Sequence, residues 1–150
     1  MFGVRKPQIA ARVAAGICLL TAAFHAALVF GAPWGEYTQG GRMSGSLDAI
    51  GRILAAISFV LLCVMACSIL ARAGEGPFRR LPARAITVLS WFAAVYLLIA
   101  VILNLITRSP GERNLWAPVS IVLFLLVAYV MASTRRLPSP SAALGPSGRQ

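Results

Sequence analysis

Four apolar runs decide what this chain can become: residues 13–32, 53–71, 85–106 and 115–132, each 18 to 22 residues long. A helix needs about 20 mostly apolar residues to cross a hydrocarbon core of roughly 30 Å. The runs contain His25 but no Asp, Glu, Lys or Arg, whereas a helix on a soluble domain carries charge along its outer face. The sequence therefore predicts an all-α membrane protein, an antiparallel up-down bundle of four transmembrane helices. The longest non-apolar stretches, 33–52 and 137–150, are too short to enclose a core. Residues 1–136 read as one transmembrane domain. Residues 137–150, rich in Pro, Ser and Gly, read as a disordered cytoplasmic tail.

The chain is 59% hydrophobic and only 12% charged, yet its formal charge is +10. In a soluble protein that excess would point to nucleic acid. No basic segment here is long or interleaved with aromatics, so the sequence predicts no nucleic-acid partner. The cations are instead sorted by side. Arg5, Lys6, Arg12, Arg72, Arg79, Arg80, Arg84, Arg135, Arg136 and Arg149 flank one face of the bundle. Arg42, Arg52, Arg108 and Arg113 flank the other, with Glu36, Asp48 and Glu112. The positive-inside rule puts both termini and the middle loop in the cytoplasm, where the basic loops meet anionic headgroups of the lipid bilayer. The excess of Arg over Lys, with abundant Ala and Gly, suggests a bacterial source and an inner (plasma) membrane location.

The first run is longer than a typical signal-peptide core, and Pro33 occupies what would be the first mature position, so span 1 is read as retained. Cys18, Cys63 and Cys67 all lie inside spans, which excludes a loop disulfide framework. They lack a metal-binding or redox spacing and read as small packing residues.

Local signals refine the ends. Gly31, Pro33 and Gly35 stop span 1, with Trp34 at the interface. The Gly-rich outer loop (Gly40, Gly41, Gly45) reads as mobile. Ser44 or Ser46 is expected to cap span 2, with Asp48 in its first turn. Ser109-Pro110-Gly111-Glu112 reads as a capping box, in which Glu112 reaches back to the backbone near Ser109 and span 4 starts near Pro110. Pro118 then kinks that helix or marks its true start. Gly16, Ala22, Ala23, Ala26 and Ala27 of span 1, and Gly51, Ala55 and Ser58 of span 2, are expected at helix contacts.

His25 is the most unusual intramembrane residue. It lies roughly 9 Å below the outer end of span 1 at 1.5 Å per residue, on a polar stripe with Cys18 and Thr21. Asn104 lies near the outer end of span 3, on a stripe with Thr87, Ser90, Ala94 and Val101. Polar groups at membrane depth face a bundle interior or a cavity. Trp34, Glu36, Arg108, Glu112, Arg113 and Trp116 cluster above them. The candidate ligand or partner site is therefore His25, Trp34, Glu36, Asn104, Glu112, Arg113 and Trp116. Each has a structural alternative: interhelical hydrogen bonding for His25 and Asn104, capping for Glu112, an interfacial belt for the tryptophans.

Two motifs carry a resemblance: Ala32-Pro33-Trp34-Gly35 after the first span, and the stretch from Asn104 to Pro118 containing Glu112-Arg113 and Trp116. With these the chain resembles a family of uncharacterised bacterial four-span inner-membrane proteins over most of residues 20–132. The resemblance implies an inner-membrane bundle and no activity. The spans hold no acidic group for proton-coupled export, and the outer face holds no reactive cysteine pair. No nucleotide loop, metal-ligand cluster or catalytic triad is visible, and the sequence implies no cofactor. The expected function is that of a non-enzymatic accessory or interaction protein whose polar outer end binds a membrane-protein partner, a second copy or a small ligand. The alternative is a small transporter or a lipid- or quinone-binding protein using His25 and Asn104. The charge distribution generates the first prediction: a reporter active only in the periplasm, fused after Gln150, stays silent, and strong activity refutes the orientation.

Overall fold

Each apolar run becomes one helix, and each helix starts before its run. The structure, a computed structural model, describes residues 6–134; the expected disordered tail lies outside them. The helices are α1 (Lys6–Val29), α2 (Ala49–Arg72), α3 (Ala83–Ile106) and α4 (Pro110–Thr134). They are 24 or 25 residues long and apolar enough to cross a membrane. Helices of that length span roughly 36 Å. The described residues contain no strand. The chain is an all-α integral membrane protein.

The helices stand in chain order around a square. Each packs on its sequence neighbours, and α1 closes the ring against α4. Among neighbouring pairs α1–α2 is the closest and α2–α3 the loosest. One end carries Lys6, the α2–α3 loop and Thr134 and is called here the termini end. The other carries the α1–α2 loop and the α3–α4 turn and is called the distal end.

The close α1–α2 contact follows from side-chain size. Ala10, Ala11, Ala14, Ala15, Cys18 and Ala22 of α1 are buried against Leu62, Met65, Ala66 and Ile69 of α2, with Ala93, Leu97, Leu123 and Val127 completing the core. Small side chains let helix backbones approach, which is how helices associate where lipid is as apolar as the core. The outward positions are exposed Ile, Leu and Val, among them Leu20, Ile53, Val88 and Leu125. Gly16 and Ala23, expected at a helix contact, face outward; a Cβ on Gly16 would touch nothing. Ala22, Gly51 and Ala55 are buried as expected.

Helix ends are closed by local chemistry. At the end of α1, Gly31 takes φ +97°. Its N–H donates to the Leu28 carbonyl (3.1 Å) and the Ala32 N–H to the Ala27 carbonyl (2.9 Å), a Schellman closure. Gly74 repeats it after α2. Asp48, rather than Ser44 or Ser46, caps α2: its Oδ1 accepts from the Gly51 N–H at 2.7 Å. Ser46 instead donates to the Gly31 carbonyl (2.7 Å), serving the end of α1. Helix α4 runs unbroken through Pro118 from Pro110.

The termini end is tied by side chains. Arg12 donates a bidentate pair of hydrogen bonds to Glu75, both 2.8 Å. The Arg12 guanidinium holds the Glu75 carboxyl below its usual range. Arg72 donates to Thr134 (3.0 Å) and Thr87 (3.2 Å), joining α2 to α4 and α3. The packing generates the second prediction. Ala14→Leu forces a large side chain into the α1–α2 contact and lowers stability by about 1–3 kcal/mol, whereas Gly16→Leu does not. Thermal unfolding in detergent measures both, and equal effects refute the assigned face.

Candidate functional site

Beyond Ala22 the inward side chains of α1 become larger and polar, and the close-packed core gives way to a chamber in the distal half. Its volume is about 260 Å³. All four helices contribute: Thr21 and His25 from α1, Ser58 and Leu62 from α2, Tyr96 and Asn104 from α3, Trp116 and Ser120 from α4. Its floor is the layer of Leu62, Leu97 and Leu123, which belongs to the packed core below.

His25 stands out by what it lacks. Its Nδ1 is buried and finds no hydrogen-bond partner among the described residues. The imidazole meets the edge of Phe24 at 5.6 Å instead. A buried polar atom without a partner costs about 1–3 kcal/mol, so the interhelical bond expected for a packing histidine is not made at this nitrogen. Asn104 is only lightly held. Its Nδ2 donates toward the Trp116 carbonyl at 3.5 Å, the outer limit of a hydrogen bond.

The roof is the α1–α2 loop, folded into two 3-10 turns, Gly35–Tyr37 and Gln39–Gly41. Thr38 between them is buried and lines the chamber. The loop, expected to be mobile, is fastened to the α3–α4 turn by several bonds. The Gly40 N–H donates to Glu112 Oε2 (2.9 Å), Ser109 Oγ to the Glu36 carbonyl (2.9 Å), and Trp116 Nε1 to the Tyr37 carbonyl (2.7 Å). Gln39 donates to the Gly51 carbonyl on the opposite side (2.9 Å). Close approach to the α3–α4 turn requires glycine at position 41: Gly41 has φ +68°, and a Cβ there would lie 2.8 Å from Ser109 Cβ. The neighbouring Glu36 carboxylate pushes the Tyr37 phenol up from its usual pKa.

Half of the expected capping box is present. Ser109 Oγ accepts from the Glu112 N–H at 3.2 Å. The Glu112 carboxylate does not return to the Ser109 backbone. Oε2 accepts from Thr107 Oγ1 (2.8 Å) and from Gly40. The side chain is drawn away because the loop backbone offers an N–H with no helical partner.

Of the sequence-predicted site residues, His25, Asn104, Glu112 and Trp116 are brought together around the chamber. Trp34, Glu36 and Arg113 are exposed on the distal rim and do not line it. Trp34 stacks on Phe24 (5.7 Å, 10° between planes), and Arg113 donates to the Thr107 carbonyl. Trp116 is half-buried against Phe24. Sequence reasoning missed Thr38, Tyr96 and Ser120. Tyr96 and Ser120 are polar positions inside apolar runs, the same signal that marked Asn104. Thr38 carries no such signal.

Compared with known proteins, the chain matches no family model, no curated protein and no solved structure. The loop geometry generates the third prediction. Glu112→Ala removes a charge-assisted bond worth about 1.5–3 kcal/mol, so amide exchange at Gly40 accelerates about ten- to a hundredfold. Hydrogen–deuterium exchange measures it, and unchanged protection refutes Glu112 as the fastening.

Proposed function

We propose that this protein is a bacterial inner-membrane binding protein, without enzymatic activity, that holds a small ligand in the distal chamber with His25 and Asn104 as its hydrogen-bonding contacts. The observation that carries the reading is the buried, unpartnered Nδ1 of His25 beside a 260 Å³ chamber. Buried polar atoms in folded proteins are almost always satisfied, by protein, water or ligand. Neutral imidazole offers a donor on one nitrogen and an acceptor on the other, and the Asn104 amide offers both.

Binding is favoured over conduction by what lies beneath. Met65, Ile69, Ala93 and Val127 are almost completely buried below the Leu62–Leu97–Leu123 layer, so the chamber is a pocket with a floor. The ten-to-four sorting of Lys and Arg supports cytoplasmic termini and a distal end facing the periplasm. The resemblance to bacterial four-span proteins supports the inner-membrane placement. A second reading, docking of a partner protein, draws on exposed Trp34, Glu36 and Arg113 at the rim.

The fourth prediction follows. Native mass spectrometry of the full chain, released from mild detergent, shows a bound species that bulk lipid does not account for. Its occupancy falls about tenfold in His25→Ala, the loss of one hydrogen bond, and less in His25→Gln. Identical spectra for the original protein and His25→Ala refute the reading.

A further inference from the structure

We infer that the chamber is loaded sideways, through the seam between α2 and α3, by a neutral single-chain amphiphile of the bilayer whose hydroxyl or carbonyl head meets His25 and Asn104. This rests on the reading of the chamber as a ligand site and adds the route and the ligand class.

The route follows from which walls are sealed. The roof is fastened through Glu112, Ser109 and Trp116. The floor is the leucine layer on the packed core. Over their full lengths α2 and α3 are the least closely packed of the neighbouring helix pairs. The α2–α3 seam remains. The buried residues of α3 are Ser90, Ala93, Ala94 and Leu97, and no residue from Leu98 to Ile106 is buried. Leu103 lines the chamber and is nevertheless 57% exposed, so chamber and outer surface meet there. Ser58 and Leu62 face it from α2. The exposed residues of these two helices near this depth are apolar, among them Ile57 of α2 and Ile99, Ile102 and Ile106 of α3. A molecule approaching there comes from hydrocarbon.

The ligand class follows from charge and size. The chamber lining contains no Lys or Arg, and its one carboxylate, Glu112, already accepts two hydrogen bonds. A phosphate brought into this apolar setting would find no cation and would face Glu112, an arrangement that is strongly unfavourable. A neutral hydroxyl or carbonyl finds the donors and acceptors of His25 and Asn104. A volume of about 260 Å³ holds a head and the first part of a chain, below the range of roughly 300–1,000 Å³ typical of sites that enclose whole drug-sized ligands. The remaining chain lies along the seam.

The test uses the full-length protein in phosphatidylcholine vesicles, carrying Trp34→Phe and Trp91→Phe so that Trp116 at the chamber wall is the sole reporter. Two quenchers with the same dibrominated acyl chain are compared, a monoacylglycerol and a lysophosphatidate. The expected result is saturable quenching by the monoacylglycerol at a mole fraction at least tenfold below any saturation by the lysophosphatidate. Ala100→Phe, or the gentler Ala100→Leu, fills the chamber and leaves only linear bulk quenching, while His25→Ala shifts saturation upward about tenfold. Equal saturation by both probes overturns the neutral-head assignment. Linear quenching by both overturns sideways loading. If quenching is linear while mass spectrometry still shows a bound species lost in His25→Ala, the chamber is a ligand site and this inference alone fails. If both fail, the underlying reading fails with it.

Discussion

The gradient of side-chain size along α1 shapes the whole bundle. From Ala10 to Ala22 its fully buried residues are alanines and one cysteine, and α1 can lie close against α2. Beyond that point the inward residues include Phe24, His25 and Leu28. Their bulk holds the helices apart, and the interior divides into a dense core at the termini end and a chamber at the distal end. A second small cluster, Leu28, Leu47 and Ala55, seals the α1–α2 corner beyond the chamber. The chamber is thus a consequence of where the alanine face stops.

The distal loop shows how strictly polar groups are accounted for in this chain. The carbonyls of Gly31, Glu36, Tyr37 and Gly51 and the N–H of Gly40 each receive a side-chain partner. Such pairing satisfies backbone groups that no helical ladder reaches. Within the same region His25 Nδ1 has none. The contrast argues against treating His25 as interhelical glue, because the surrounding chain spends five side chains satisfying less deeply placed atoms.

The four spans, the start of α4 at Pro110 and the shared depth of His25 and Asn104 were legible in the sequence, since each depends on a count along one helix. The facing of Gly16 was not. In a helix that is apolar all round, core and lipid are indistinguishable by hydropathy, and the periodicity that orients a soluble helix is missing. The partner of Glu112 was equally hidden. A capping box is a local pattern, but Gly40 lies 72 positions away, and only the folded loop presents its N–H. Asp48 takes the place of the serines as cap of α2 because the helix starts at Ala49, directly after it.

The walls of the chamber are unequal, and the weakest is α3. Its first turn, preceded by Pro82, has no side-chain cap, and at its other end the Thr107 carbonyl accepts from Arg113. Its distal half is unburied, and the Asn104 bond to α4 is long. Another polar link near this end is the Thr107 hydroxyl, which donates to Glu112, the same carboxylate that fastens the roof. Roof and α3 are therefore coupled through one side chain. A displacement of α3 outward along the seam would draw on Thr107, and through Glu112 on Gly40, because both bond to the same carboxylate oxygen. Elements with few buried contacts are the ones that open at low free-energy cost, so the proposed lateral loading would draw on the distal half of α3, which holds no fully buried residue.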